Sequence, residues 1–248
     1  MEPKIFQQIE NGKKVDFGDI LSKSFNLFGK VWVDGLVHAV ITLLVMIPFL
    51  ILIYAPIAPL YIDMFQHMGD TYYEPDIEQY FSIPFLIGWM FVVFILAFLI
   101  QPVVFSITGH FLIKCKNEDM GTNDVAGGYF KLAKEHFGKL LLLSLATAGI
   151  SMLAVLLCYF PIFYVMVPLH LMLPIFVFNP TLSSGKIINA SFKLGNKYWL
   201  IVFGLMIVSG LIASLGTLIC VIGVLATTYF QHIVTYYFYK DSVGFENA

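Results

Sequence analysis

The sequence has little charge. Asp, Glu, Lys and Arg make up only 12% of its 248 residues, where a typical soluble domain has about 25%. Arginine is absent, so all 14 basic residues are lysines, while hydrophobic residues make up 59% of the chain. Soluble enzymes, nucleic-acid-binding proteins and disordered chains all need more charge than this. The composition therefore predicts an integral membrane protein without a nucleic-acid partner.

Four long segments of the chain contain no Asp, Glu, Lys or Arg. They hold 28, 35, 46 and 42 residues in chain order. A helix needs about 20 residues to cross about 30 Å of hydrocarbon, so the first two segments have room for one span each and the last two for a pair each. We predict an all-α fold with six transmembrane helices, over residues 35–60, 84–112, 139–159, 161–180, 198–217 and 219–239.

The lysines are sorted between the two sides of this predicted bundle. All of them lie before the first span, between the second and third, between the fourth and fifth, or after the sixth. The loop between the first two spans has no lysine and carries five acidic residues instead. Cytoplasmic loops hold the excess of basic residues, so we expect both termini in the cytoplasm.

A short motif recurs before three of the predicted spans. Residues 24–32 read SFNLFGKVW and residues 191–199 read SFKLGNKYW, while residues 129–137 match them more loosely. In the first copy apolar residues recur at helical spacing, and charged and polar residues, lysines among them, take the other face. We predict a single membrane domain over residues 1–248, built from three repeats of an amphipathic interfacial helix plus a helical hairpin, at about 16–113, 124–180 and 186–239.

The lysines and tryptophans of these lead-in helices are the predicted lipid contacts. Lysines attract anionic headgroups, and tryptophan rings prefer the membrane–water interface. The candidates are Lys23, Lys30, Trp32, Lys193, Lys197 and Trp199. Ordinary packing of the lead-in helices against the bundle is the alternative.

Prolines suggest a second set of candidates. They interrupt the first and fourth predicted spans, and an interior proline removes a backbone hydrogen bond and kinks the helix. A path for a small molecule or a lipid through these spans would involve His170, Asn179, Pro168 and Pro174. No charged residue lies near the centre of a predicted span, which argues against an ion-coupled transporter, a voltage sensor or an intramembrane protease.

Histidines supply a third hypothesis. His38, His110, His170 and His232 fall in or at the ends of predicted spans, and two histidines from facing helices can ligate a haem. A haem-binding redox subunit is therefore one alternative, and hydrogen-bonded structural histidines are the other. Because no phosphate-binding, dinucleotide, nucleophile or zinc-protease motif occurs, we expect no enzyme activity, cofactor or metal site.

The segment from Pro161 to about residue 205 is similar to a bacterial membrane-protein pattern. A proline-rich span precedes KIINASFKLGNKYW, in which the matching positions are Ala190, Ser191, Leu194, Lys197 and Trp199. It resembles the membrane domain attached to some glycerophosphoryl diester phosphodiesterases, and related six-span bacterial membrane proteins. The resemblance implies a multi-pass protein of the bacterial inner membrane. It implies no hydrolysis, because the catalytic barrel of those enzymes has no counterpart in these residues.

The leading hypothesis is a non-catalytic inner-membrane protein that acts as a structural, assembly or lipid-interacting component. Its expected partners are membrane lipids, with a membrane-protein partner or a second copy of the chain as alternatives. The small-molecule or lipid transporter and the haem-binding subunit are the competing hypotheses.

Overall fold

The computed structural model describes residues 3–124, 127–157, 159–218 and 221–245. Every regular element in these ranges is helical. The helices are α1 Lys4–Glu10, α2 Phe17–Tyr54, α3 Ala58–Gln66, α4 Ile77–Tyr80, α5 Ile83–Met120, α6 Lys131–Leu156, α7 Phe160–Phe178, α8 Ser184–Lys197, α9 Trp199–Leu215, α10 Val221–Thr228 and α11 Phe230–Ser242. A single 3₁₀ turn, Gly216–Leu218, follows α9.

Four of these helices, α2, α5, α6 and α7, are long and apolar enough to cross a membrane. The bent pair α8–α9 adds a fifth candidate if it is counted as one span. Large apolar side chains such as Ile51, Met90 and Leu153 are each at least 60% exposed, and so much exposed apolar surface suits lipid rather than water. The protein is therefore a multi-pass membrane protein. The count of six spans stays a prediction, since α10 and α11 are short and meet at Tyr229.

The first predicted lead-in and the first predicted span form one continuous helix. The side chain of Asp16 caps α2 by accepting a hydrogen bond from the N–H of Asp19 at 2.8 Å. No proline occurs in α2 before Pro48, so the backbone hydrogen bonds run through the expected boundary. The first predicted lead-in and the first predicted span are therefore parts of the same helix. The helix ends at Tyr54, earlier than the predicted residue 60, because Pro56 has no N–H with which to continue it.

The other two lead-in segments join their spans differently. α6 departs from helical geometry at His136, with φ −130° and ψ 28°, where the second lead-in meets the third predicted span. α8 and α9 meet at Tyr198 and are bent by 90°. The interfacial position of α8 stays a prediction. Since the three junctions differ, the three-fold repeat stays a prediction.

The best-packed part of the protein lies at the lysine-rich ends of the helices. Most of α11 is buried, and it packs against α2, α5, α7 and α9. The carboxylate of Asp119 at the end of α5 accepts hydrogen bonds from Tyr236 and Tyr237, both at 2.7 Å, and pairs with Lys240. These contacts join α5 to α11. In contrast, no residue of α2 after Ala39 is fully buried, although α10 packs on α2 and Thr42 contacts the hydroxyl of Tyr229.

The short N-terminal helix α1 packs on α8. Its residues Ile5, Phe6 and Ile9 are buried. Lys197 of α8 donates hydrogen bonds to the carbonyl oxygens of Ile9 at 2.7 Å and Glu10 at 2.9 Å. A lysine placed in this way satisfies carbonyl groups that a helix C-terminus leaves without an intrahelical partner.

Replacing Lys197 with methionine is expected to loosen α1. A hydrogen bond from a charged donor contributes about 1.5–3 kcal/mol when shielded, and partial exposure lowers this, so backbone amides of residues 5–11 should exchange roughly tenfold faster. Hydrogen exchange followed by mass spectrometry measures the change. The matched control is Lys186→Met, at an exposed lysine of the same helix. Equal exchange in both variants would contradict a capping role for Lys197.

Candidate functional site

A cavity of about 410 Å³ lies between α5, α6, α7, α9 and α11. Apolar side chains such as Phe105, Leu169 and Met206 form part of its wall. The polar side chains that line it are those of Gln101, Thr108, Thr147, Ser151, His170, His232 and Thr235. Asp, Glu, Lys and Arg do not occur among its described lining residues. The cavity thus offers neutral hydrogen-bonding groups in apolar surroundings.

Some of these polar groups already have partners. The hydroxyl of Thr235 donates to the carbonyl oxygen of Gln231 at 2.8 Å, so at its 2.7 Å contact with His170 the hydroxyl oxygen accepts from Nε2–H. This assigns the Nε2–H tautomer to His170. Thr147 donates to the carbonyl oxygen of Leu143 at 2.9 Å. These bonds fix the positions of three side chains in the cavity wall.

Three other polar side chains in the wall have no hydrogen-bond partner within the described residues. Gln101, Ser151 and the ring of His232 make no hydrogen bond to any part of the chain that the structure describes. Each is only half-buried, so its polar atoms are accessible. An amide, a hydroxyl and an imidazole can each donate or accept hydrogen bonds. Together they can bind the polar part of a ligand.

The cavity lies well inside the apolar part of the helices. Gln101 is 13 residues from Lys114 on α5, and Thr147 is eight residues from Lys139 on α6. At about 1.5 Å per residue, these polar groups are about 12–20 Å along the helix axes from the nearest lysines. This end of the cavity is therefore deeper than the level at which lysines meet headgroups, while the lining at its other end reaches Leu112, two residues from Lys114.

An apolar groove continues from the cavity along α5 and α6. A recess of about 320 Å³ shares Gln101 and Thr147 with the cavity. A further recess of about 390 Å³ shares Phe94 and Phe98 with the first and is lined entirely by apolar residues. Its lining includes Leu145, which is 55% exposed. The groove thus connects the polar cavity to the lipid-facing surface of the bundle.

A second polar cluster joins α2 to α5. His38 Nδ1 lies 2.5 Å from the backbone oxygen of Asp34, His38 Nε2 lies 2.8 Å from His110 Nδ1, and His110 Nε2 lies 3.2 Å from the backbone oxygen of Gly127. Each of these three contacts needs one N–H, while two neutral imidazoles carry only two. The pair therefore has a place for one additional proton.

Aromatic rings surround this histidine pair. The ring of Tyr129 lies 5.0 Å from that of His38 and 4.6 Å from that of His110, measured between centroids. Phe111 and Tyr229 also contact the ring of His38. These rings come from α5, from the segment before α6 and from the junction between α10 and α11, so the cluster is closely packed. This arrangement suits a structural role, in which the histidine pair joins α2 to α5.

The haem hypothesis would require histidine nitrogens that face each other across space for an iron. His38 and His110 instead bond each other directly. His170 bonds Thr235. Within the described ranges, no group of three or more His, Cys, Asp or Glu side chains is arranged to hold a metal ion.

The predicted lipid-contact residues have varied surroundings. Lys23 pairs with Asp19 at 2.6 Å and Asp241 at 3.0 Å. Lys193 lies 3.5 Å from Glu10, and Lys197 caps α1 as described above. Several predicted headgroup lysines therefore hold the protein's own helices together.

The remaining lipid-contact candidates are at the surface. Trp32 is 45% exposed, and Lys30 is exposed as well. Trp199 donates its indole N–H to the carbonyl oxygen of Tyr164 at 3.1 Å, which joins α9 to α7. Of the six candidates, Lys30 and Trp32 are the two that are exposed and make no hydrogen bond or ion pair with the described part of the chain.

The four transport-path candidates are separated. His170 and Pro174 line the cavity. Pro168 is buried against Gly195 of α8, and Asn179 bonds the hydroxyl of Tyr239 at 2.6 Å outside the cavity. Gln101, Thr108, Thr147 and Ser151 are not among the residues predicted from the sequence, although isolated polar residues inside apolar spans are the signal that could have found them.

The acidic loop after α2 contains its own ordered cluster. The phenol of Tyr73 donates a hydrogen bond to the carboxylate of Asp63, and the ring of His67 stacks on Tyr73 with centroids 4.1 Å apart. The hydrogen bond holds the pKa of Asp63 below its ordinary value. It also raises the pKa of Tyr73 to about 12. Because the pKa of Asp63 is lowered, the contact stabilises the loop above about pH 4 and is lost as the pH falls and Asp63 is protonated.

Replacing Asp63 with asparagine is expected to lower the pKa of Tyr73 from about 12 toward its ordinary value, since the charged acceptor is lost. ¹³C NMR of ζ-labelled tyrosine measures the titration, with Tyr73→Phe identifying the signal. The control is Asp70→Asn, because Asp70 bonds the backbone N–H of Tyr72 rather than this phenol. A pKa of Tyr73 that is unchanged in Asp63→Asn would refute the contact.

Comparisons with known proteins do not assign this chain to a family. The resemblance to phosphodiesterase membrane domains accordingly stays a prediction. No family model, curated protein sequence or solved structure matches the chain.

Proposed function

We propose that this chain is a non-catalytic, lipid-interacting protein of the bacterial inner membrane that binds a lipid in the cavity between α5, α6, α7, α9 and α11. The observation that carries the proposal is the set of unoccupied polar side chains, Gln101, Ser151 and His232, in a cavity that continues into an apolar groove. Lipids combine a hydrogen-bonding group with hydrocarbon, and the cavity and groove offer partners for both. Ligand sites of this kind are mostly apolar with a few converging polar groups.

The proposed topology has six spans in three repeats, with both termini in the cytoplasm. The distribution of the lysines supports it. α10 and α11 would form the last span, broken at Tyr229. The hydrogen bond from Thr227 to the carbonyl oxygen of Ala213, at 2.8 Å, joins this last span to α9.

Native mass spectrometry of protein extracted from its own membrane in a mild detergent tests lipid binding. We expect about one retained lipid per chain, and a loss of at least fivefold in Ser151→Phe, which fills the cavity. The matched control is Leu153→Phe, because Leu153 is 62% exposed on the same helix and should keep the lipid. Equal retention in the two variants would contradict the proposed site.

Transport through the bundle is the second candidate function. It is favoured by one observation, that α7 contains Pro168 and Pro174 on either side of His170, which lines the cavity. Transport of a polar solute requires water in the cavity, so a cysteine introduced at Ser151 would react with a membrane-impermeant thiol reagent in intact cells. If the cavity holds a lipid instead, we expect the cysteine introduced at position 151 to stay unlabelled by the reagent. The parent protein, with its native cysteines, gives the background labelling.

A further inference from the structure

The chemistry of the cavity narrows the class of ligand. Resting on the proposed function, we propose that the ligand is an uncharged amphiphile with a hydrogen-bonding head, such as a diacylglycerol, that enters sideways from the bilayer between α5 and α6. Its head would lie among Gln101, Ser151 and His232. Its hydrocarbon chain would occupy the groove past Phe98.

The absence of charge in the described wall of the cavity excludes a charged head. A phosphate or an ammonium group would be taken out of water without an opposite charge or a set of fixed donors to replace its hydration. The described wall contains no Asp, Glu, Lys or Arg, and several of its polar side chains can act both as donor and as acceptor. A hydroxyl or an ester carbonyl matches that pattern.

The depth of the cavity favours the same class. Gln101 and Ser151 lie about 18–20 Å along α5 and α6 from Lys114 and Lys139. An ordinary phospholipid keeps its headgroup at the level of such lysines. A lipid whose head reaches Gln101 must leave the interface, and an uncharged head loses much less hydration on doing so.

The groove supplies the route from the bilayer. Its two recesses follow one another along α5 and α6, and they share the rings of Phe94 and Phe98. These rings contact edge to face with centroids 4.6 Å apart. At its outer end the lining residues Phe91 and Leu145 are 64% and 55% exposed. A hydrocarbon chain can therefore pass from the lipid-facing surface to the cavity without crossing a polar layer.

Two photoreactive lipids with the same diazirine-bearing chain test the proposal in phosphatidylcholine nanodiscs. One is a diacylglycerol, which is uncharged, and the other a phosphatidylglycerol, which is anionic. We expect the diacylglycerol to label peptides covering residues 91–101 and 141–151 at least fivefold more than the phosphatidylglycerol. Ala97→Trp, which fills the groove, should abolish this labelling, whereas Gly88→Trp, at an open position on the same helix, should preserve it.

Each other outcome overturns a defined part of the proposal. Equal labelling by the two probes, or more by phosphatidylglycerol, overturns the uncharged class while leaving lipid binding in place. Labelling that persists in Ala97→Trp overturns the route between α5 and α6. Labelling by neither probe, together with no lipid in native mass spectra, contradicts the proposed function itself.

Discussion

Gly195→Val is expected to destabilise the protein by about 2–3 kcal/mol, the upper part of the range for overpacked interiors. A β-carbon on Gly195 would lie 3.0 Å from Cα and 3.1 Å from N of Pro168. These are backbone atoms of a helix, so they cannot turn away as a flexible side chain would. The two additional methyl groups of valine would force α8 away from α7.

The matched control for this change is Gly185→Val on the same helix, because a β-carbon at Gly185 meets no atom within 4 Å. Denaturation in dodecylsulfate-containing mixed micelles, followed by circular dichroism, compares the two variants. Since His170 follows Pro168 by two residues on α7, we also expect Gly195→Val to weaken lipid retention. Equal stability of the two valine variants would refute close packing between α7 and α8.

Replacing one histidine of the pair with leucine is expected to lower the free energy of unfolding by more than half of the amount lost when both are replaced. His38 is fully buried and His110 is 6% exposed, and their ring nitrogens are 2.8 Å apart. In either single leucine variant, the remaining imidazole keeps a buried nitrogen without its partner, which costs about 1–3 kcal/mol. In the double variant His38→Leu/His110→Leu that penalty disappears.

A double-mutant cycle measures this coupling. We expect the free energies of unfolding to depart from additivity by about 1–2 kcal/mol, within the range for residues in direct contact. The control cycle combines His38→Leu with His67→Leu, because His67 lies in the loop after α2 and contacts Tyr73 instead. Additive behaviour of the His38 and His110 variants would show that the two rings do not bond.

The length and apolarity of the helices could be predicted from the sequence because they depend on local composition. The charge-free segments correspond to α2, α5, α6, α7 and the later helices, with ends shifted by several residues. The junctions could not be predicted, because the lead-in motifs look alike. The chain bends by 90° at Tyr198, whereas it continues as one helix through residue 34. Which of these occurs depends on tertiary packing, such as that of Gly195 on Pro168.

The candidate site was only partly predictable. His170 could be predicted because it is an ionisable residue in the middle of an apolar segment, and it does line the cavity. Asn179 looked equivalent in sequence, yet it bonds Tyr239 elsewhere. Gln101 and Ser151 line the same cavity only because α5 and α6 pack side by side. Likewise, the lysines of the lead-in helices resemble headgroup ligands in sequence, whereas Lys197 binds backbone carbonyls of α1.

The most direct test of the lipid site is an experimental structure of the protein in lipid nanodiscs, determined by electron cryomicroscopy with a bound antibody fragment to add mass. The proposal predicts elongated density that runs from Gln101 and His232 along the groove past Phe98, with its broader end in the cavity. A cavity filled with water and open to an aqueous face, with no density in the groove, would contradict it.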